Sequence, residues 1–120
     1  ELFRQVCRPI ATETTKGAFL FGLRLMAIDT STEDVPDTPE NVRAFGRQWG
    51  DRGASAFPQV MAVYLDECGT HAVVDAGFWP CHASPDAGAQ RLLRSVSTGM
   101  LLTWDTGLHS FDIAAKTLAR

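Results

Sequence analysis

The sequence predicts an α/β fold with a mixed sheet, in the order strand, strand, strand, helix, strand, helix. Three observations carry this reading. Two strand-like runs, 59–66 and 71–78, are separated by the short turn Cys68-Gly69-Thr70, as in an antiparallel hairpin. Ala89, Leu92, Leu93 and Val96 recur at helical spacing, as on the buried stripe of a helix. The run 100–104 is almost wholly apolar, the pattern of an interior, parallel strand.

The elements follow in order. Residues 1–20 read as a connector, because Pro9, Gly17 and the threonines Thr12, Thr14 and Thr15 interrupt any period. Residues 21–28 alternate, with Leu23, Leu25 and Ala27 on one face and Arg24, Met26 and Ile28 on the other. This is a strand buried on both faces that ends at Asp29. Residues 30–57 form a long loop insertion. Pro36 and Pro39 exclude a central strand there, and Gly46, Gly50 and Gly53 mark turns. Within it, Thr38 and Pro39 open a short helix over residues 39–45. A loop of this length inside a compact domain is expected to act on something. After the hairpin, Ser84 caps a helix that Pro85 and Asp86 begin and Gly99 closes. Arg91 and Arg94 lie off its apolar stripe, as a solvated face. Following the strand 100–104 and a turn at Gly107, Ser110 caps a last helix with Phe111, Ala114 and Leu118 on one face. Trp79 and Trp104 are expected in the core.

Length and composition bound the function. A chain of 120 residues, 45% hydrophobic and 21% charged, is one globular domain. Three scattered cysteines, Cys7, Cys68 and Cys81, suit a reduced compartment rather than a disulfide framework. No apolar run approaches a membrane span and no leader pattern stands at the start. The expected location is therefore the cytoplasm, with no membrane partner. The first residue is Glu1 rather than Met, as in a fragment or a processed piece. The net charge of −3, from 11 Lys and Arg against 14 Asp and Glu, disfavours nucleic-acid binding by overall charge. Local cationic patches remain: Arg43, Arg47 and Arg52 share one stretch, and Arg91 and Arg94 another. Trp49, in the first of these, could stack on a base or pack in the core.

The chemistry points to Asp29 and Asp105, each at the end of an apolar strand. In open α/β sheets, ligands bind beyond the carboxyl ends of strands. A helical crossover that returns the fourth strand parallel to and beside the first would bring both carboxylates to one site, since neighbouring strands lie about 4.8 Å apart. Two such carboxylates repel unless a cation lies between them. Hard oxygen ligands with open water positions suit Mg²⁺ or Mn²⁺, ions that serve phosphoryl transfer. Against this, Asp at a strand end is a common turn residue. Asp34 and Asp37 could assist a metal, or cap the turns beside Pro36 and Pro39.

Residues 22–29, Gly22-Leu23-Arg24-Leu25-Met26-Ala27-Ile28-Asp29, followed by Asp34-Val35-Pro36-Asp37-Thr38-Pro39, resemble the first catalytic segment of bacterial insertion-sequence transposases of the DDE type, in the insertion-sequence-four family. Arg43-Ala44-Phe45-Gly46 and the run from Arg52 to Gln59 continue the resemblance, and Glu67 to Ala76 fits its hairpin. Leu101-Leu102-Thr103-Trp104-Asp105-Thr106-Gly107 resembles the second catalytic segment, followed by His109-Ser110. The resemblance spans about residues 2–120. It implies a ribonuclease-H-like mixed sheet (βββαβα) with flanking helices, truncated at the C-terminus, in which 21–120 is a partial catalytic domain. It also implies that Asp29 and Asp105 are the first two acids of a triad holding Mg²⁺ (or Mn²⁺). The implied reaction nicks insertion-sequence ends and joins the freed 3′ hydroxyl to target DNA. The partners are then transposon-end and target DNA, with a homodimer expected in the parent protein. The loop 30–57, with Arg43, Arg47, Arg52 and Trp49, would face DNA.

The sequence departs from the family at both aspartates. Thr30 stands where Gly usually follows the first, and Thr106-Gly107-Leu108 where Arg-Gly-Phe or Arg-Gly-Tyr follows the second. No Glu follows Glu67, so the third acid is missing and this segment alone is expected to be inactive. The alternative is a non-catalytic transposase remnant that binds DNA or a sister transposase; a further rival is a metal-dependent nuclease without end specificity. Other readings are weaker. Asp105-Thr106-Gly107 lacks the Ala or Ser that continues an aspartic-protease signature. Asp29-Thr30-Ser31-Thr32 lacks the second acid of an aspartyl-phosphate loop. Cys68, His71, Cys81 and His82 have zinc-ligand residue types, but a strand of about ten residues, about 30 Å long, separates His71 from Cys81.

Overall fold

The computed structural model describes residues 2–108 and 110–119. The elements are α1 (Leu2–Val6), β1 (Phe19–Leu20), β2 (Leu23–Asp34), α2 (Pro39–Phe45), β3 (Trp49–Gly50), β4 (Gly53–Ala54), β5 (Gln59–Glu67), β6 (Ala72–Pro80), α3 (Pro85–Leu92), β7 (Met100–Trp104) and α4 (Phe111–Leu118). The fold is α/β with a mixed sheet, as expected. β2, β5 and β6 pair antiparallel in that order, short β1 pairs antiparallel with the start of β2, and β7 lies parallel to β2 on its other side.

Several elements differ from the sequence expectation, each for a local reason. β2 does not end at Asp29. It continues to Asp34, because β5 pairs with it from Met26↔Glu67 to Asp34↔Gln59 and satisfies its backbone throughout. Nor is it buried on both faces: Met26 and Ile28 are buried, while Leu25 and Ala27 are only partly covered and Asp29 is exposed. β7 is parallel, as expected, but stands at the sheet edge among the described residues rather than inside it. The segment 1–20 is more than a connector, since it contributes α1 and β1. The backbone N–H groups of Ile10 and Ala11 donate to the Glu67 carboxylate and tie it down.

α2 forms where the Thr38-Pro39 signal places it. Thr38 Oγ1 accepts from the Asn41 N–H at 3.2 Å. The helix stops at Gly46, whose φ of 78° favours a residue without a Cβ. The rest of the excursion is a small β3–β4 hairpin. α3 is shorter than expected, with residues 93–95 tightening into a 3₁₀ turn. Ser84 precedes it without a side-chain cap bond. In α4, Ser110 Oγ does cap, accepting from the Ile113 N–H. The expected face of that helix is corrected: Ile113 is fully buried, whereas Phe111 and Leu118 are 86% and 89% exposed.

The core lies on one face of the sheet. Met26 and Ile28 of β2, Met61, Val63 and Leu65 of β5, and Leu102 of β7 pack against Ala89, Leu92, Leu93 and Ile113 from the helical layer. Each large side chain fully buried here contributes about 1.5–3 kcal/mol. Trp79 and Trp104 pack at the margin of this cluster. Gly88 lets α3 approach the sheet: a Cβ there would come within 2.8 Å of Val63 Cγ2. The opposite face carries Leu25, Ala27 and Asp29 of β2 and Tyr64 and Asp66 of β5. Near Phe3 of α1, it also forms an apolar groove of about 420 Å³ lined by Tyr64, Val73, Ala76 and Phe78.

Candidate functional site

Asp29 lies on this second face, and Asp105 directly follows β7, the parallel neighbour of β2. β2 and β7 run parallel in register, ending with Ile28 opposite Trp104. The next residue along each chain is Asp29 and Asp105 respectively. Their backbones are therefore neighbours, about 4.8 Å apart at sheet spacing. The crossover from β6 through α3 to β7 produces this, since a parallel neighbour needs a connection that returns the chain to its starting end. Both carboxylates are exposed. Asp29 Oδ1 accepts from the Thr30 N–H at 2.7 Å, and Asp105 Oδ1 from Thr106 Oγ1 at 3.1 Å. The Asp105 carbonyl accepts from the Leu108 N–H at 2.9 Å, closing a tight turn directly after the strand.

A third carboxylate, which sequence reasoning missed, belongs to the same face. Asp66 pairs with Ala27 across β2 and β5, and Asp29 with Tyr64. Asp66 and Asp29 are thus diagonal neighbours on one face, about 7–8 Å apart. The β5–β6 register shifts between Leu65 and Asp66, a bulge of the kind that re-aims side chains. Asp66 Oδ1 is buried and has no hydrogen-bond partner among the described residues. Burial, reinforced by the negative charge of Asp29, pushes the Asp66 carboxyl above its ordinary range, partly offset by nearby His71. The sequence signal was available, as an acid alternating with Tyr64 on β5, but Asp66 reads there as an ordinary strand-end residue.

The remaining candidates are placed as follows. Arg47 is turned inward: it donates to the Ser55 and Ala56 carbonyls and pairs with Asp37. Asp34 accepts from Gln59 Nε2 at 2.8 Å. Arg43 pairs with Glu40 at 3.5 Å on the outside of α2. Trp49, 78% exposed, and Arg52 project with the β3–β4 hairpin; the core reading of Trp49 is thereby corrected. Arg94 is also not simply a solvated cation. Its Nε and Nη2 donate to Asp75 at 2.8 and 2.9 Å, and Ser95 Oγ donates at 2.7 Å. Burial alone would raise the Asp75 carboxyl, but these donors outweigh it and hold it below its ordinary range. His71 precedes β6 and Cys81 follows it, at opposite ends of the strand. His109 lies outside the described residues.

Hard oxygen donors define the chemistry of the Asp29–Asp105 site. Asp29 and Asp105 are exposed carboxylates at the ends of adjacent strands, the donor type that hard divalent cations take. Among the described residues, no three Asp, Glu, His or Cys side chains converge as a preformed metal cage.

Comparison with known proteins supports a relationship between this chain and transposases. Over 92 residues, 77% of its length, it is 34% identical to the transposase InsG for insertion sequence element IS4 of Escherichia coli (strain K12). The chain spans 21% of the length of that relative. No family model matches the chain, and no solved structure matches it. No helix among the described residues is long and apolar enough to cross a membrane.

Proposed function

We propose that this chain is part of the catalytic domain of a DDE-type transposase, with a ribonuclease-H-like sheet. On this reading, Asp29 and Asp105 hold Mg²⁺ or Mn²⁺ for phosphoryl transfer at insertion-sequence ends. The observation that carries the reading is the parallel β2–β7 register, which ends one residue before Asp29 and Asp105. The strand order β7-β2-β5-β6 and the likeness to an insertion-sequence transposase support it.

The chain's own residues would contribute as follows. Asp29 sits within the paired strand β2 and Asp105 directly after β7, so sheet backbone positions both carboxylates. When bound, the cation lowers the barrier by activating a nucleophilic hydroxyl and stabilising charge on the phosphate. The excursion between β2 and β5 offers Trp49, Arg52 and Arg43 to DNA, Trp49 by stacking and the arginines by phosphate contact. Arg47 shapes that excursion from within. No Glu follows Glu67, so on this reading the segment alone is expected to bind metal without joining DNA strands.

Mn²⁺ titration of the chain and of Asp29→Ala and Asp105→Ala tests the proposal. The expected result is binding that both substitutions abolish. Unchanged affinity in both variants would remove the active-site reading and leave a DNA- or protein-binding remnant.

A further inference from the structure

The sheet face opposite the helical layer carries an apolar groove of about 420 Å³, lined by Phe3, Tyr64, Val73, Ala76 and Phe78. Phe78 is 63% exposed, and Phe3 and Val73 are exposed as well. From Val73 to Phe78 the groove follows β6 for about 15 Å, the length of about three helical turns. Its flank toward β2 is acidic. Asp29 stands directly opposite Tyr64, a wall of the groove. The Asp29 carboxylate is exposed and accepts only from the Thr30 N–H among the described residues. Asp66 stands opposite Val73, and Glu33 lies further along β2 on the same face. Among the described residues, the positions of β2, β5 and β6 on this face hold no Lys, Arg or His.

We propose that this groove is the docking surface for a basic amphipathic helix, its apolar side chains seated along Val73, Ala76 and Phe78 and its Lys or Arg residues on the flank that faces β2. Helix-in-groove recognition needs an apolar trough of a few turns, and the groove supplies it. Charge complementarity selects the occupant, because a helix laid along β6 has acids alone beneath its β2-side flank. Asp29 is two strands away from β6, about 10 Å at sheet spacing. A Lys or Arg rooted on that flank spans this distance, with its aliphatic stem over Tyr64 and its charge at the Asp29 carboxylate. The docking does not depend on the metal role of Asp29. A second copy of this chain is a poorer occupant. Its exposed apolar helix positions, Phe111 and Leu118 of α4, belong to the opposite layer, so such a contact would be head-to-tail and open-ended.

The experiment is fluorescence anisotropy of the 120-residue chain with a labelled, alanine-rich helical peptide of about 15 residues, carrying leucines along one face and arginines along the adjoining flank. A second peptide has glutamates in place of the arginines. The arginine peptide is expected to bind about tenfold tighter than the glutamate peptide. Phe78→Ser should weaken it by about tenfold or more. Ala76→Arg, which sets a like charge in the groove without removing an apolar side chain, should do the same. Asp29→Lys should reverse the preference between the two peptides. Thermal melting checks that each variant is folded. The proposal is overturned if the arginine peptide does not bind, if both peptides bind alike, or if Asp29→Lys keeps the preference for arginine. Binding that survives both Phe78→Ser and Ala76→Arg places the peptide elsewhere and also overturns it. Self-association in sedimentation that Phe78→Ser abolishes and the arginine peptide does not displace would make a second copy the occupant instead.

Discussion

Glu67 and Asp66 are consecutive acids on β5, and they point to opposite faces of the same sheet. Glu67 lies on the helix-covered face, is fully buried, and is surrounded by donors from the N-terminal segment, Thr70 and Arg24. Burial alone would raise its carboxyl, but those hydrogen bonds hold it below its ordinary range. Asp66 lies on the open face with an unpaired oxygen, beside Asp29, and is pushed the other way. One carboxylate is held by a full set of donors; the other has a buried oxygen that no described residue hydrogen-bonds. The difference teaches that exposure of the sheet face, not residue type, separates structural acids from candidate functional ones here.

Breaking Glu67 has the largest expected effect. Glu67→Ala leaves Arg24 and two backbone N–H groups without their acceptor. It should cost about 3–5 kcal/mol in chemical denaturation, a large part of the usual stability of a small domain. An equal loss in Asp66→Asn would erase the contrast between the two acids. Next, Gly88→Ala drives a methyl group into Val63 and should cost about 1–3 kcal/mol by the same measurement. The same substitution at open Gly50, which has nothing within 4 Å, should be much milder.

Acid sharpens the comparison. Glu67 and Asp75 titrate below their ordinary values when folded. Their stabilisation is therefore present above the unfolded carboxylate range of about 4 and is lost as pH falls through their depressed folded values. Asp66, shifted upward, has the opposite sign: its contribution is present at low pH and lost as pH rises through the carboxylate range. Melting temperature against pH should thus fall less steeply on acidification in Asp75→Asn than in the natural chain. The smallest effect is expected for Phe78→Ser. Phe78 is 63% exposed on the groove face, so the change should stay within about 0.5 kcal/mol.

Local signals were readable where local chemistry decides. Thr38-Pro39 placed α2, Ser110 capped α4, and Cys68-Gly69-Thr70 joined β5 to β6. The apolar run 100–104 announced a parallel strand, and β7 pairs parallel with β2. Readings failed where a partner elsewhere in the chain decides. β2 outruns Asp29 because β5 is long enough to pair with Thr30 to Asp34. Arg94 was read as solvated because Asp75, nineteen residues earlier, is not its neighbour in sequence. Trp49 reads equally as core or surface until the hairpin holds it out.

By itself, then, the sequence determined the order and type of the main elements and the two aspartates that follow apolar stretches. Caps, turns and hydrophobic periods act over a few residues and are written in them. Only the tertiary structure decided which acid is satisfied and which is free, because hydrogen-bond donors to a carboxylate come from segments distant in sequence. Glu67 acquires Ile10 and Ala11 from more than fifty residues away, and Asp66, one residue before it, acquires the charge of Asp29 instead.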